Sequence, residues 1–326
     1  MIRILVGDAL DRLRTLPDGL ARTCVTSPPY YGLRDYGMGG QIGLEASPEE
    51  YVARIVAVFG EVRRVLADDG TLWLNLGDSY AAERGGTHQP AETLAGGKNG
   101  RTAGGERVNR DRHDGFNPTR NAKGIGLKHK DLMGIPWMVA FALRSDGWYL
   151  RQEIIWHKPN PMPESVRDRC TKAHEHVFLL SKRPRYFYDA DAIAEPATDP
   201  ETIRGKSPRH STHPEGGFDG HRTRKGLDAP QSGRETKNAR SVWSITPRPF
   251  PDAHFATFPI ELPDRCIRAG SAAGDTVLDP FAGAGTTLLA ARNLDRDAVG
   301  IEINPEYAAM ARRRVEDMTT ETRIEE

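Results

Sequence analysis

The sequence predicts an α/β fold on a mostly parallel sheet, and three stretches carry that prediction. A helix running straight into a buried strand occupies residues 47–76, and a strand, a glycine-bearing turn and a helix follow one another over residues 275–294. A further apolar strand then ends on a carboxylate, Glu302. Helices alternating with short buried strands are the rhythm of parallel sheets, because parallel neighbours need a crossover connection.

Taken in order, residues 3–6 form a short apolar strand that stops at Gly7-Asp8. A second strand, residues 23–26, stops at Ser27-Pro28-Pro29-Tyr30. Two prolines in succession cannot continue a central strand, so the chain turns out of the sheet there. Ser47-Pro48-Glu49-Glu50 supplies an N-cap serine, a proline at the first helical position and a glutamate at the capping-box position. Val52, Ile55, Val56, Phe59, Val62 and Leu66 then recur at helical spacing. Asp68-Asp69-Gly70 ends that helix, and residues 71–76 read as a strand. Residues 135–143 predict a helix, and residues 148–156 and 176–180 predict two strands that pair. Structure resumes near Ser241 and runs to the end of the chain.

Two stretches break the pattern. Residues 81–130 hold roughly twice as many basic as acidic side chains and few large apolar ones, and residues 197–240 are similarly polar. Both read as insertions in a single domain covering residues 1–326. A chain of 326 residues supports one sizeable α/β core with about fifty to a hundred residues to spare. Lys and Arg equal Asp and Glu at 45 each, so any basic surface is local. No apolar run approaches the roughly 18 residues of a membrane span, and the start lacks a signal-peptide pattern. Cys24, Cys170 and Cys266 are scattered, which gives neither a disulfide framework nor a zinc site. The expectation is a cytoplasmic protein with no membrane association and no metal.

The chemistry concentrates in two places. Asp279-Pro280-Phe281-Ala282-Gly283-Ala284-Gly285-Thr286-Thr287 joins a strand to a helix through glycines, which let a ligand approach the backbone. About 20 residues on, Glu302 sits where a carboxylate can accept hydrogen bonds from ribose hydroxyls. The third glycine of a dinucleotide fingerprint and the Gly-Lys-Ser/Thr ending of a triphosphate loop are both missing. The other place is Ser27-Pro28-Pro29-Tyr30, where the prolines present carbonyls without competing N–H donors.

Together these motifs resemble the DNA amino-methyltransferases, the N4-cytosine and N6-adenine family. The tetrapeptide precedes the glycine loop, which is the motif order of the permuted β class. His254-Phe255-Ala256-Thr257-Phe258-Pro259 and Trp156-His157-Lys158-Pro159 extend the similarity. The resemblance implies a permuted S-adenosylmethionine-dependent methyltransferase (Rossmann-like) fold with a mostly parallel seven-stranded sheet. It implies S-adenosylmethionine as cofactor, held by Asp8, Phe258, Asp279, Pro280, Phe281, Gly283, Gly285, Thr286, Thr287 and Glu302. It also implies catalysis by Ser27, Pro28, Pro29 and Tyr30 on a flipped base of double-stranded DNA. Residues 197–240 fall where the family carries its target-recognition region. Homodimerisation and a cognate restriction endonuclease are compatible with the family, and no residue here decides either.

A serine at the first position of the tetrapeptide points to cytosine N4, where an aspartate points to adenine N6. Carbon-5 methylation requires a thiolate, and Cys24 lies within a strand while Cys170 and Cys266 lack a Pro-Cys context. Protein-glutamine and RNA methyltransferases commonly start the tetrapeptide with asparagine and carry the glycine loop earlier in the chain. A non-catalytic DNA-binding protein retaining the fold is the remaining rival. Asp78, His157 and Lys158 are secondary candidates for ligand or DNA contact, and the basic stretches around 101–130 and 204–240 for phosphate contact.

Overall fold

The computed structural model describes residues 1–33, 35–82, 122–197, 236–247 and 258–321. Most of both polar insertions, and residues 254–257 of the motif ending at Pro259, lie outside the described residues. Met1–Asp189 with Ser241–Glu326 makes one compact unit and Ala190–Arg240 a second.

The first unit runs β1 (Ile2–Val6), α1 (Ala9–Arg14), β2 (Ala21–Thr26), α2 (Pro48–Val65), β3 (Leu66–Leu76), α3 (Ile135–Ser145), β4 (Tyr149–His157) and β5 (His174–Ser181). In the second unit, β6 (Glu195–Pro196) pairs antiparallel with β7 (Thr236–Lys237), and Arg240 Nε donates to Glu195 Oε2 at 2.9 Å. The first unit then resumes with β8 (Val242–Ser244), α4 (Glu261–Gly270), β9 (Thr276–Asp279), α5 (Thr286–Asn293), β10 (Asp297–Glu302) and α6 (Pro305–Glu321).

Among the described residues, its sheet has eight strands in the order β1-β10-β9-β2-β3-β5-β4-β8. The α/β class and mainly parallel sheet are as the sequence predicts, with β8 as an eighth, three-residue strand beside β4. Pairing is parallel from β1 through β10, β9 and β2 to β3, antiparallel on both sides of β5, and parallel again between β4 and β8. Among the described residues, two α-helices escape the sequence reading. One is α1, only six residues long, and the other is α4, which carries a proline.

The strand side chains alternate between two cores. Leu72, Leu74 and Leu76 of β3 join Phe178, Leu278 and Ile301 beneath α1, α2 and α3, whose Leu13, Phe59 and Val139 are fully buried. Trp73 faces the other way, stacked between Tyr188 and Trp243, on the side covered by α4, α5 and α6.

The order of strands fixes the site. From β9 the chain crosses through α5 to β10 on one side, and from β2 it crosses through α2 to β3 on the other. The crossovers therefore diverge between β9 and β2, and at such a switch point the strand ends open into a crevice.

α2 begins as its sequence predicts. Ser47 Oγ accepts from the Glu50 N–H at 3.2 Å, while Glu50 Oε2 reaches back to the Ala46 N–H at 3.1 Å, one residue before the cap. Replacing Ser47 with Ala should cost about 1 kcal/mol of unfolding free energy. Urea denaturation measures it, and an unchanged midpoint and slope would assign the helix start to Pro48 and packing alone.

Candidate active site

At that crevice lies a cavity of about 280 Å³. The β2 turn contributes Ser27, Pro28, Pro29 and Tyr30, and the β9 turn contributes Asp279, Pro280, Phe281 and Gly283, with Thr286 at the start of α5. Asp8 after β1, Glu302 at the tip of β10 and Phe258 complete the predicted residues on its wall. Motifs some 250 residues apart thus line one cavity. Gly285 and Thr287 are not on that wall. Gly285 adopts φ +78° and packs so closely on α6 that a Cβ would lie 2.8 Å from that of Ala311, and Thr287 is fully buried.

The two turns are joined directly. Thr26 Oγ1, one residue before the tetrapeptide, donates to Asp279 Oδ1 at 2.6 Å in the buried interior. The same oxygen accepts the Phe281 N–H at 3.1 Å, which folds the glycine turn back on its strand. Tyr51 of α2 donates to the Pro29 carbonyl at 2.9 Å and pins the other turn. No described residue donates to the Pro28 carbonyl.

One end of the cavity is acidic and glycine-lined. Glu302 Oε2 accepts the Gly283 N–H at 2.9 Å, and Oε1 accepts the Asn304 N–H at 2.8 Å. Gly283 takes φ +51° with open space where a side chain would stand, so a Cβ there would fill the cradle. Burial raises the carboxyls of Asp279 and Glu302 above their ordinary range, against the pull of their hydrogen bonds. Acceptor-only groups beside an open glycine suit a ligand with hydroxyl and ammonium donors.

The other end holds a polar network in which Asn75 and Glu175, both missed by the sequence reading, join Ser27, Tyr30 and Lys158. Tyr30 Oη donates to Glu175 Oε2 at 2.6 Å. Asn75 Nδ2 donates to Tyr30 Oη at 2.8 Å and to Glu175 Oε2 at 2.9 Å. Ser27 Oγ donates to Tyr30 Oη at 3.3 Å. Lys158 pairs with the other oxygen of Glu175 and lies 4.3 Å from the Trp156 ring centroid. Asn75, Trp156, Lys158 and Glu175 all line the cavity, and the buried Asn75 Oδ1 has no partner among the described residues. Burial alone would raise Glu175, but Lys158, Tyr30 and Asn75 outweigh it and hold the carboxyl below its usual range. Glu175 therefore stabilises the fold above the ordinary glutamate pKa, and that contribution is lost as pH falls through the depressed value.

Of Asp78, His157 and Lys158, only Lys158 lines the cavity. Asp78 caps α3 by accepting the Gly134 and Ile135 N–H groups at 3.0 and 3.2 Å. His157 meets Ser244 at 3.0 Å. Cys24 and Cys266 are buried, and burial pushes both thiols up, away from the thiolate form.

The N6_N4_Mtase DNA methylase family model matches residues 21–313. The chain is 44% identical over 313 residues to the type II methyltransferase M.SmaI of Serratia marcescens, covering 96% of this chain and 90% of that protein. It is 46% identical over 310 residues to M.XycI of Xanthomonas campestris pv. cyanopsidis, covering 95% and 86%. Among solved structures, the cytosine-N4-specific PvuII DNA methyltransferase aligns with a TM-score of 0.61 at 18% identity, covering 95% of this chain and 85% of that one. A protein of Thermus thermophilus assigned as a DNA modification methylase, in complex with S-adenosyl-L-methionine, aligns at 0.57 and 24% identity, covering 97% and 94%. These structural likenesses concern the fold.

The Tyr30 ring rests against the backbone of Gly77, where an added Cβ would lie 2.5 Å from Cε2. Gly77→Ala should therefore destabilise the protein by about 1–3 kcal/mol through overpacking. In a Tyr30→Ala background the same change should cost nothing, and chemical denaturation of the four proteins reads the difference. Equal costs in both backgrounds would dissociate the glycine from the ring.

Proposed function

The chain belongs to the N6_N4_Mtase DNA methylase family, and from that premise we propose that it transfers a methyl group from S-adenosylmethionine to cytosine N4 in double-stranded DNA. The observation that carries this reading is the shared cavity, in which the Ser27–Tyr30 turn faces the Gly283–Glu302 cradle.

The acidic end suits the cofactor. Asp8, Asp279 and Glu302 offer acceptors for an ammonium group and ribose hydroxyls, Gly283 leaves room at the backbone, and Phe258 and Phe281 supply apolar wall. When bound, S-adenosylmethionine supplies an electrophilic methyl on its sulfonium. The protein's own residues act on the base. An exocyclic amine is a weak nucleophile because its lone pair is delocalised into the ring. Ser27 Oγ and the Pro28 carbonyl accept its N–H groups, which favours a pyramidal nitrogen and stabilises positive charge as it develops. The base must leave the duplex to reach them, and Tyr30 offers a ring for it to stack on. Holding base and cofactor in one cavity removes the orientational cost of the encounter. The preference for cytosine over adenine rests on the neutral Ser27 at the first position. Residues 197–240 are proposed to read the target sequence.

Digesting DNA treated with the protein and S-adenosylmethionine to nucleosides for mass spectrometry should yield N4-methylcytosine. N6-methyladenine would overturn the base assignment, and no methylated base across several DNA sources would overturn the activity.

Glu302→Gln should weaken S-adenosylmethionine binding about 10-fold or more, as expected for losing a charged hydrogen-bond acceptor; isothermal titration measures it. The unaltered protein should lose affinity on acidification, starting above the ordinary carboxylate pKa of about 4, because Asp279 and Glu302 are raised by burial. Without ligand the sign reverses. Protonating these two groups favours the fold at low pH, and that contribution is lost as pH rises through their raised values. A dissociation constant independent of pH down to about 4 would contradict the ionised carboxylates.

A further inference from the structure

Beyond the tetrapeptide, the direction of the hydrogen-bond chain Ser27–Tyr30–Glu175 has a chemical consequence. A hydroxyl carries one proton and two lone pairs, whereas an ionised carboxylate only accepts. Glu175 is held as an ion by Lys158 and its side chain is 14% exposed. It accepts the Tyr30 proton at 2.6 Å. The Tyr30 oxygen is then left to accept, from Asn75 Nδ2 at 2.8 Å and from the Ser27 hydroxyl at 3.3 Å. With its only proton committed to Tyr30, Ser27 presents lone pairs alone to a donor in the cavity.

We propose that Glu175 is a positioning residue that sets the direction of this chain and so holds Ser27 as an acceptor for the base amine. The inference rests on the function proposed above and extends it to a residue outside both sequence motifs. Were position 175 able to donate to Tyr30, the Tyr30 proton could turn to Ser27 and the Ser27 proton into the cavity. It would then meet the amine N–H head on, donor against donor. Asn75 supports the same polarity. Its amide donates to Tyr30 and Glu175 and makes a longer contact to Ser27 Oγ at 3.4 Å, which also finds that oxygen accepting, while its buried Oδ1 has no partner among the described residues. Lys158 stands behind the carboxylate, 22% exposed, and keeps some access to water if the pair is broken.

The experiment compares steady-state methylation of DNA by the unaltered chain, Glu175→Gln, Glu175→Asp, Tyr30→Phe, and Glu175→Gln combined with Tyr30→Phe. Glutamine keeps the shape of glutamate but brings a donor. Glu175→Gln should lower kcat by about 10²-fold, the scale of a misoriented reacting group, with KM for S-adenosylmethionine unchanged within about twofold. Glu175→Asp, which restores an acceptor, should recover at least about tenfold of that loss. Because Glu175 acts through the Tyr30 hydroxyl, adding Glu175→Gln to Tyr30→Phe should cause no further loss. Thermal unfolding of each variant separates misfolding from misorientation, and Glu175→Asp carries the test if the Gln variant does not fold. A wild-type kcat in Glu175→Gln, a Glu175→Asp no better than Gln, or an equal loss from Glu175→Gln in both backgrounds would overturn this role for Glu175. Absence of methyl transfer by the unaltered chain would overturn the function itself, which is a different result.

Discussion

The site depends on one buried hydrogen bond, from Thr26 to Asp279, between residues at opposite ends of the sequence. It exists because β2 and β9 are parallel neighbours, with Thr23 beside Val277 and Cys24 beside Leu278. That pairing brings two turns to the same end of the sheet, where the crossovers diverge and leave the crevice uncovered. Everything proposed about cofactor and base follows from this adjacency. A parallel pair cannot be made by a short connection, so the separation of the motifs along the chain is itself a product of the topology.

The two ends of the cavity use charge in opposite ways. Around Gly283, buried carboxylates face the cavity with raised pKa values and benefit from a ligand that brings donors. Around Ser27, Glu175 is already neutralised by Lys158 and by hydrogen bonds from Tyr30 and Asn75. An uncompensated buried charge costs several kcal/mol, so the first arrangement suits ligand binding and the second suits a fixed scaffold.

Much of the fold was legible because its signals are local. Ser47-Pro48-Glu49-Glu50 announces α2, two prolines end β2, and two glycines turn β9 into α5. What was lost lacks such signals. α1 is under two turns long, and the three residues of β8 are recognisable only by what they pair with. The adjacency of β2 and β9 was legible only through resemblance to permuted relatives. Glu175 was missed because the expected strand starts at His176, one residue later, and a glutamate between two histidines just before it reads as a solvent-facing position. Its partners come from residues 30, 75 and 158, and no sequence spacing links them. Asp78 shows the converse, a carboxylate near a strand end whose hydrogen bonds go to a helix start.

The central claim is that one hydrogen bond couples the cofactor end of the cavity to the base end. Thr26→Val removes the donor to Asp279 while keeping the shape of the side chain, and can be read by titrating S-adenosylmethionine and by timing methyl transfer to DNA on the same protein. The account predicts that both fall together, affinity and single-turnover rate each by about tenfold, the scale of a hydrogen bond to a charged group. A variant that loses neither, or only one of the two, would contradict it.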